Sequence, residues 1–305
     1  MPYQMKPLKC DPAKLPGLSE RLIRSHYDNN YGGAVKRLNQ ISERLAELDS
    51  ATAAGFAING LKREELIAMN SMILHELYFD GLGADGAPGW GLAEAMARDF
   101  GSVERWKAEF TAMGKALGGG SGWVVLVWSA RDGRLVNQWA ADHTHALAGG
   151  TPLLALDMYE HSYHMDYGTK AAAYVDAFMA NIDWFIPAQL YDRCVGRNMT
   201  PQGLSAALAG PLPPLVLDVR RKPALEANPV MVPGAIWKAP EDVDAWAGSL
   251  PRDREIAVYC AFGHNVGMDT AAKLRASGLA VRYVEGGIAG WRDAGQPVQA
   301  KGAQS

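Results

Sequence analysis

Residues 152–167 read PLLALDMYEHSYHMDY. The first half is a continuous apolar run of the length expected for a buried strand. Asp157 closes that run and His161 follows four residues later, so a carboxylate and an imidazole leave the end of one strand together. A D-x-x-x-H spacing is common by itself. Its meaning depends on what else the chain brings to the same place.

Two further strand-like runs lie upstream, WVVLVWS at 123–129 and RLVNQWA at 134–140. Before them the period changes. Across 18–48, Leu22, Ile23, Ala34, Leu38, Ile41, Leu45 and Leu48 recur at helical spacing. Asn30, Gly32 and Gly33 interrupt the run. A glycine costs up to ~1 kcal/mol against alanine in a helix, which predicts a kink or a close approach to another backbone. A second helical stretch, 62–79, carries Leu66, Ile67, Met69, Ile73, Leu74, Leu77 and Tyr78, and GLGADGAPGW at 81–90 ends it. Two helices joined by a loop make a helical hairpin. Residues 92–100 and 102–117 also read as helices, with Ser102 as an N-cap. GGGSG at 118–122 is a break, and 163–185 returns to helical composition. Helices followed by a small sheet form an α+β pattern.

A different rhythm begins near residue 198. LVLDVR (215–220), EIAVYC (255–260) and AVRYV (280–284) are short buried-type strands. They alternate with helical pieces at 240–250 and 265–278, the latter closed by Gly278. Alternation of this kind predicts a small parallel-sheet α/β domain. The chain is therefore expected to be multidomain: a helical hairpin over 1–88, an α+β half over 89–195, a linker at 196–201 and an α/β domain over 202–305.

Composition agrees with two soluble domains. The 305 residues are 48% hydrophobic and 21% charged, with a net charge of −3. Near-balance gives no reason to expect a nucleic acid or an anionic membrane surface as partner. No run approaches the ~20 apolar residues of a membrane span, and the N-terminal residues lack the apolar core of a signal peptide. Only three cysteines, Cys10, Cys194 and Cys260, lie far apart. A disulfide framework is not expected, which points to a reducing cytoplasm.

The informative histidines sit on apolar segments. His26 lies beside the stripe of the first helix, and His75 stands in NSMILHELYF at 70–79. A lone histidine on such a face is more often a hydrogen-bonded core residue than a ligand. Three imidazoles with one carboxylate, however, suit a first-row transition metal. With room for solvent, that set suits redox iron or manganese better than closed tetrahedral zinc.

Here a resemblance becomes specific. LSERLIRSHYDNNYGGAVKRLN (18–39), NSMILHELYFDGL (70–82), GSGWVVLVWS (120–129) and PLLALDMYEHSYHMDY resemble the iron/manganese superoxide dismutase family. The resemblance implies one iron or manganese ion on His26, His75, Asp157 and His161. It implies superoxide as substrate and a homodimer, or a dimer of dimers, in which Glu160 reaches His161 of the partner subunit. It also implies that Trp123 and Tyr159 line the site, although the family more often has Trp at the latter. The glutamine that tunes bound solvent in iron-type members would fall at Ser71, and His143 in AADHTHALAGG (140–150) can take that role. His145 reads as a surface loop residue. The family's second helix histidine is Asn30 here, its gateway tyrosine is Ala34, and the usual cross-dimer tyrosine is His164. Tyr31 is the candidate to refill the vacated space, with Asn30 and His164 replacing the lost pair as a set.

The C-terminal pieces LVLDVR, VPGAI (232–236), IAVYCAFGHNVGMDTAAKLRASG (256–278) and VEGGIAGW (284–291) resemble a single-domain rhodanese. Asp218 and Arg220 match its DVR, and Trp291 closes its GG-x-x-x-W. The resemblance implies a persulfide on Cys260, cradled by the loop 261–266. A cysteine at a strand end facing a helix N-terminus is also placed for thiolate stabilisation, although cysteine is equally at home as a small buried hydrophobe. The common loop carries two arginines, at places that are Ala261 and Asn265 here. Strong thiosulfate capture is therefore not expected, and handling of a small sulfur donor or acceptor is. Three readings follow: a dismutase joined to a sulfur-handling module, a sulfur-transfer or persulfide-sensing protein whose metal-bearing half is a dimerisation scaffold, and a redox-responsive interaction protein without enzymatic activity.

Overall fold

The protein is described by a computed structural model covering residues 2–83 and 86–300. Ala84 and Asp85, within the glycine-rich stretch, lie outside the described residues. The chain divides into two compact units, one of residues 1–87 and 93–187, the other of 88–92 and 188–305.

The first unit opens with α1 (Glu20–Ser25), capped by the Ser19 hydroxyl, which accepts from the Leu22 N–H. A π-helical turn, His26–Tyr31, separates it from α2 (Gly32–Glu47). The expected irregularity thus falls just before the glycine pair, at the turn that carries His26. Such wide turns are common at functional sites. The close approach at Gly32 is made by the Met5 side chain, 3.1 Å from where a Cβ would stand, and not by another backbone. α3 (Gly55–Asp80) completes the hairpin and starts seven residues before the expected 62.

α4 (Trp90–Phe100) and α5 (Val103–Ala116) follow, with Ser102 capping α5 through the Arg105 N–H. The sheet has order β2-β1-β3, all antiparallel, from β1 (Trp123–Ser129), β2 (Arg134–Ala140) and β3 (Gly150–Asp157). Every residue of central β1 is buried. Its register sets Trp123 opposite both Asp157 and Ala140. Gly122 makes this start possible. Its φ is +131°, and a Cβ there would stand 2.1 Å from the Ala140 carbonyl oxygen, so only glycine fits. The single helical stretch expected over 163–185 is broken into α6 (His164–Tyr167) and α7 (Ala171–Ala180), because Gly168 takes φ +54° between them. α8 (Phe185–Cys194) follows.

The second unit is built on a five-stranded parallel sheet. Its strands are β4 (Asn198–Met199), β5 (Leu215–Asp218), β7 (Ile236–Trp237), β8 (Ile256–Tyr259) and β9 (Val281–Val284), in order β4-β9-β8-β5-β7. β6 (Val230–Met231) pairs separately with β10 (Gln299–Ala300). The helices are α9 (Pro201–Leu208), α10 (Lys222–Ala227), α11 (Val243–Trp246), α12 (Asn265–Ala276) and α13 (Gly287–Asp293). The three strands expected from sequence are joined by two-residue strands at both edges, too short to show a period. One of them corrects the reading of 196–201 as a linker: Asn198 and Met199 pair with Tyr283 and Val284 inside the sheet. Met199, Val216, Ala257, Tyr259, Val284, Ile288 and Trp291 pack as one core.

Candidate metal centre and cysteine loop

Four side chains converge in the first unit. The π-helical turn supplies His26, α3 supplies His75, the end of β3 supplies Asp157, and a short 3₁₀ turn (Glu160–Ser162) supplies His161. Their donor atoms all lie within 4.8 Å of one another. Asp157 Oδ2 faces the Nε2 atoms of His26 at 3.1 Å, His161 at 3.2 Å and His75 at 3.5 Å. Atoms bound about 2.1 Å from one ion at angles of 90–120° would be about 3.0–3.6 Å apart. Asp157 Oδ1 accepts the Tyr159 N–H at 2.8 Å, which orients the carboxylate.

The protonation of His75 tests the fit. Its Nδ1 lies 2.7 Å from the Ser71 carbonyl, which can only accept, so Nδ1 carries the hydrogen. Nε2 then holds a bare lone pair, buried and without a hydrogen-bond partner, beside a carboxylate oxygen. Burial, then the neighbouring His26, pulls the His75 pKa down to about 3. Burial likewise lowers His26. Asp157 is fully buried, yet its hydrogen bonds to His161 and His26 outweigh desolvation and hold its carboxyl well below the usual range. The bare His75 Nε2 and the ionised Asp157 carboxylate, both buried and facing one another, leave a gap that a cation completes. The donor set fits one ion.

The rim is aromatic. Trp123 donates its indole N–H to His143 Nδ1 at 2.9 Å, and the Asn70 amide holds the His143 carbonyl at 2.6 Å. The Tyr159 ring lies stacked between His143 at 4.9 Å and His161 at 5.5 Å between centroids. His26 and Asp157 are sealed, whereas the His161 side chain is 27% exposed, so the cage opens on that side. Burial lowers the His143 pKa and raises that of Tyr159 to about 12, so both are neutral near pH 7.

The remaining expected residues are placed differently. Tyr31 is buried with its ring 6.5 Å from that of His75. Its hydroxyl does not face the cage: it donates to Glu76 Oε1 at 3.0 Å and accepts the Lys6 N–H at 2.8 Å. Lys6 also pairs with Glu76 through Nζ, and its carbonyl accepts the Tyr27 hydroxyl at 2.6 Å. Nothing in the sequence marked Glu76 or this N-terminal segment. Glu160 and His164 are exposed, and neither joins the cage of its own chain. His145 stacks on the exposed Trp139, as its surface reading expects.

In the second unit Cys260 follows β8 and is 5% exposed. Its Sγ lies 3.7 Å from the His264 carbonyl, at the start of α12. The loop is clamped by Ile288 N–H to Cys260 O at 2.9 Å and Ala289 N–H to Ala261 O at 3.1 Å. A Cβ on Gly287 would stand 2.3 Å from the Cys260 carbonyl oxygen, which explains the GG pair. Beneath, Asp218 and Arg220 form a buried pair. Arg220 also donates to Asn228 O and Val230 O, and Tyr259 OH donates to Asp218 at 2.9 Å.

A His3Asp cage on a helical hairpin, open at the His161 edge, defines a mononuclear site for a first-row transition metal. The model for "Iron/manganese superoxide dismutases, C-terminal domain" matches residues 88–189, and the "Rhodanese-like domain" model matches 200–294. The chain is 77% identical over 184 residues to "Superoxide dismutase [Fe]" of Cupriavidus metallidurans, covering 60% of this chain and 93% of that protein. It is 37% identical over 200 residues to "Superoxide dismutase [Mn] 2" of Haloferax volcanii, covering 64% and 98%. The chain belongs to the iron/manganese superoxide dismutase family, and it continues into a rhodanese-like domain.

Proposed function

We propose that this chain is a superoxide dismutase whose single iron or manganese ion is held by His26, His75, Asp157 and His161. The observation that carries the reading is the convergence of three imidazole Nε2 atoms on one Asp157 oxygen at 3.1–3.5 Å. When bound, the ion supplies the one-electron chemistry by which two superoxide ions and two protons become dioxygen and hydrogen peroxide. The protein's own groups do the rest. Asp157 offsets charge, and the Ser71 carbonyl keeps His75 oriented. His143 keeps a proton on Nε2 to donate to solvent or an incoming anion. Trp123 and Tyr159 hold that ring and limit access. Tyr31 acts as packing for His75, because its hydroxyl is committed to Lys6 and Glu76. Glu160 and His164, exposed beside His161, are the residues a homodimer would use at His161 of the partner subunit.

The second part of the reading is sulfur handling at Cys260. Support comes from the match to the rhodanese-like model and from a thiol held at a strand end against the start of α12. Cytoplasmic location is part of the same reading, supported by the three dispersed cysteines. Among the described residues no helix is long and apolar enough to cross a membrane.

Metal analysis of the purified chain, with turnover after reconstitution with iron or manganese, tests the first part. One ion per chain and activity with at least one metal are expected; a chain that binds neither refutes it. Cyanide-releasable sulfur that disappears in Cys260→Ser, with superoxide turnover unchanged, tests the second.

A further inference from the structure

His143 stands in the loop 141–149, between β2 and β3. Most of the hydrogen bonds of that loop stay local. Asp142 Oδ1 accepts the Thr144 N–H at 2.7 Å and the Thr144 hydroxyl at 2.6 Å. His145 Nδ1 accepts the Ala141 N–H at 3.2 Å. The Gln138 side chain on β2 donates to the His145 carbonyl at 3.3 Å and accepts the Leu147 N–H at 2.9 Å. Trp123, at the start of β1, holds the His143 ring through Nδ1. These bonds fix the loop to its own sheet and to nothing else.

Asn70 supplies a bond of another kind. It lies on α3, and its amide donates to the His143 carbonyl at 2.6 Å. A carbonyl only accepts, so the amide nitrogen of Asn70 faces it, and not Oδ1. Among the described residues this is the one hydrogen bond from the helical hairpin to the loop. The same helix carries His75, and the His75 and His143 ring centroids lie 6.3 Å apart. Asn70 thus ties the helix that supplies a metal ligand to the loop that supplies the proton on His143 Nε2.

We propose that Asn70 is a positioning residue for the dismutase reaction, which fixes the reach of His143 Nε2 toward the cage. The inference rests on the reading of His143 as the proton donor. Trp123 settles which nitrogen carries the hydrogen, and Tyr159 packs the ring face at 4.9 Å. Among the described residues neither side chain hydrogen-bonds to α3, so neither sets the height of the loop on that helix. Donation needs Nε2 within about 3.2 Å of its acceptor, and a misplacement of about 1 Å can cost on the order of a hundredfold. Asn70 and His143 are both half-buried, so water can replace the lost bond and the chain should fold without it.

The test uses the full chain, metal-free and reconstituted. In the metal-free chain Asn70→Ala should speed hydrogen exchange at the amides of 141–149 about fivefold and leave β1 unchanged. In the reconstituted chain metal content should stay at the wild-type level and turnover should fall about tenfold. The reduction potential should move in the same direction as in His143→Ala, and by less. Asn70→Gln, which keeps an amide donor, should recover most of the turnover. Asn70→Asp keeps the size but cannot donate; it should not recover turnover, and it makes the same comparison should Asn70→Ala load metal poorly. In the His143→Ala background Asn70→Ala should cost nothing further. Wild-type turnover in both Asn70→Ala and Asn70→Asp, or a loss that adds in full to that of His143→Ala, overturns the proposal alone. Wild-type turnover and potential in His143→Ala overturn the reading of His143, and the proposal with it.

Discussion

Trp123 donates its indole N–H to Nδ1 of His143 across 2.9 Å, and that bond sets which nitrogen of His143 carries the proton. An indole nitrogen can only donate, so Nδ1 accepts and the hydrogen stays on Nε2. Trp123→Phe removes this constraint, and His143→Ala removes the donor itself. Both variants should keep their metal and lose about ten- to a hundredfold in turnover, the range for groups that orient a metal site from outside. Metal content with pulse-radiolysis rates checks this; wild-type rates in both would take His143 out of the reaction.

Tyr31→Phe keeps the ring against His75 but leaves the Lys6 N–H and Glu76 short of a partner. The expected cost is about 1 kcal/mol in stability, as for a lost part-buried hydrogen bond. Metal and turnover should both be retained, because the ring stays against His75 and the lost hydroxyl does not face the cage. His164→Phe should lower turnover without loss of metal, as a residue working at His161 of the partner subunit would. A loss of turnover in Tyr31→Phe, or unchanged kinetics in His164→Phe, would contradict these roles.

Chelation should lower the thermal midpoint of the metal-bearing unit. Without an ion, His75 Nε2 has no partner and faces Asp157 Oδ2 at 3.5 Å. Adding metal at a thousand times its Kd should restore about 4 kcal/mol by mass action. Calorimetry on the intact chain and on Asp157→Ala makes the comparison, and only the former should respond to metal.

The Asp218–Arg220 pair is buried on both sides, at 0% and 1% side-chain exposure. Arg220→Ala strands the Asp218 carboxylate and frees the Asn228 and Val230 carbonyls. A loss of about 3–5 kcal/mol is expected in urea titrations of the full chain. A replacement costing under about 1 kcal/mol would show that water satisfies those groups.

Asp192 titrates in the opposite sense from most surface acids. Burial pushes its carboxyl up to about 6, against the pull of Arg275 and Arg197. The folded chain thus holds a proton that the unfolded chain releases. Its contribution is fully present below pH about 3.9 and is lost as pH rises through about 6. At neutral pH the ionised form opposes folding, so Asp192→Asn should raise stability at pH 7.5 by on the order of 2 kcal/mol and leave it nearly unchanged at pH 4. Denaturant midpoints at the two pH values decide this.

Much of the site was legible because its residues sit on periodic apolar segments. His26 and His75 lie on helices, and Asp157 ends a strand whose burial its composition announces. Tyr31 was legible as a site neighbour but not in its orientation. Its hydroxyl is held by Lys6 and Glu76, distant in sequence and without any pattern. The edge strand Asn198–Met199 read as linker because two residues cannot display a period of two.

Local sequence by itself determined the helical hairpin, the strand–helix alternation of the C-terminal unit and the residue types able to hold an ion or carry a thiol. Those follow from periodicity and side-chain chemistry, which act over a few residues. Tertiary structure decided which histidine nitrogens face Asp157, which tautomer His143 adopts, and that Ile288 and Ala289 clamp the Cys260 loop. Each of these depends on groups tens of residues apart meeting within a few ångströms, which strand register and helix packing set and local pattern does not encode.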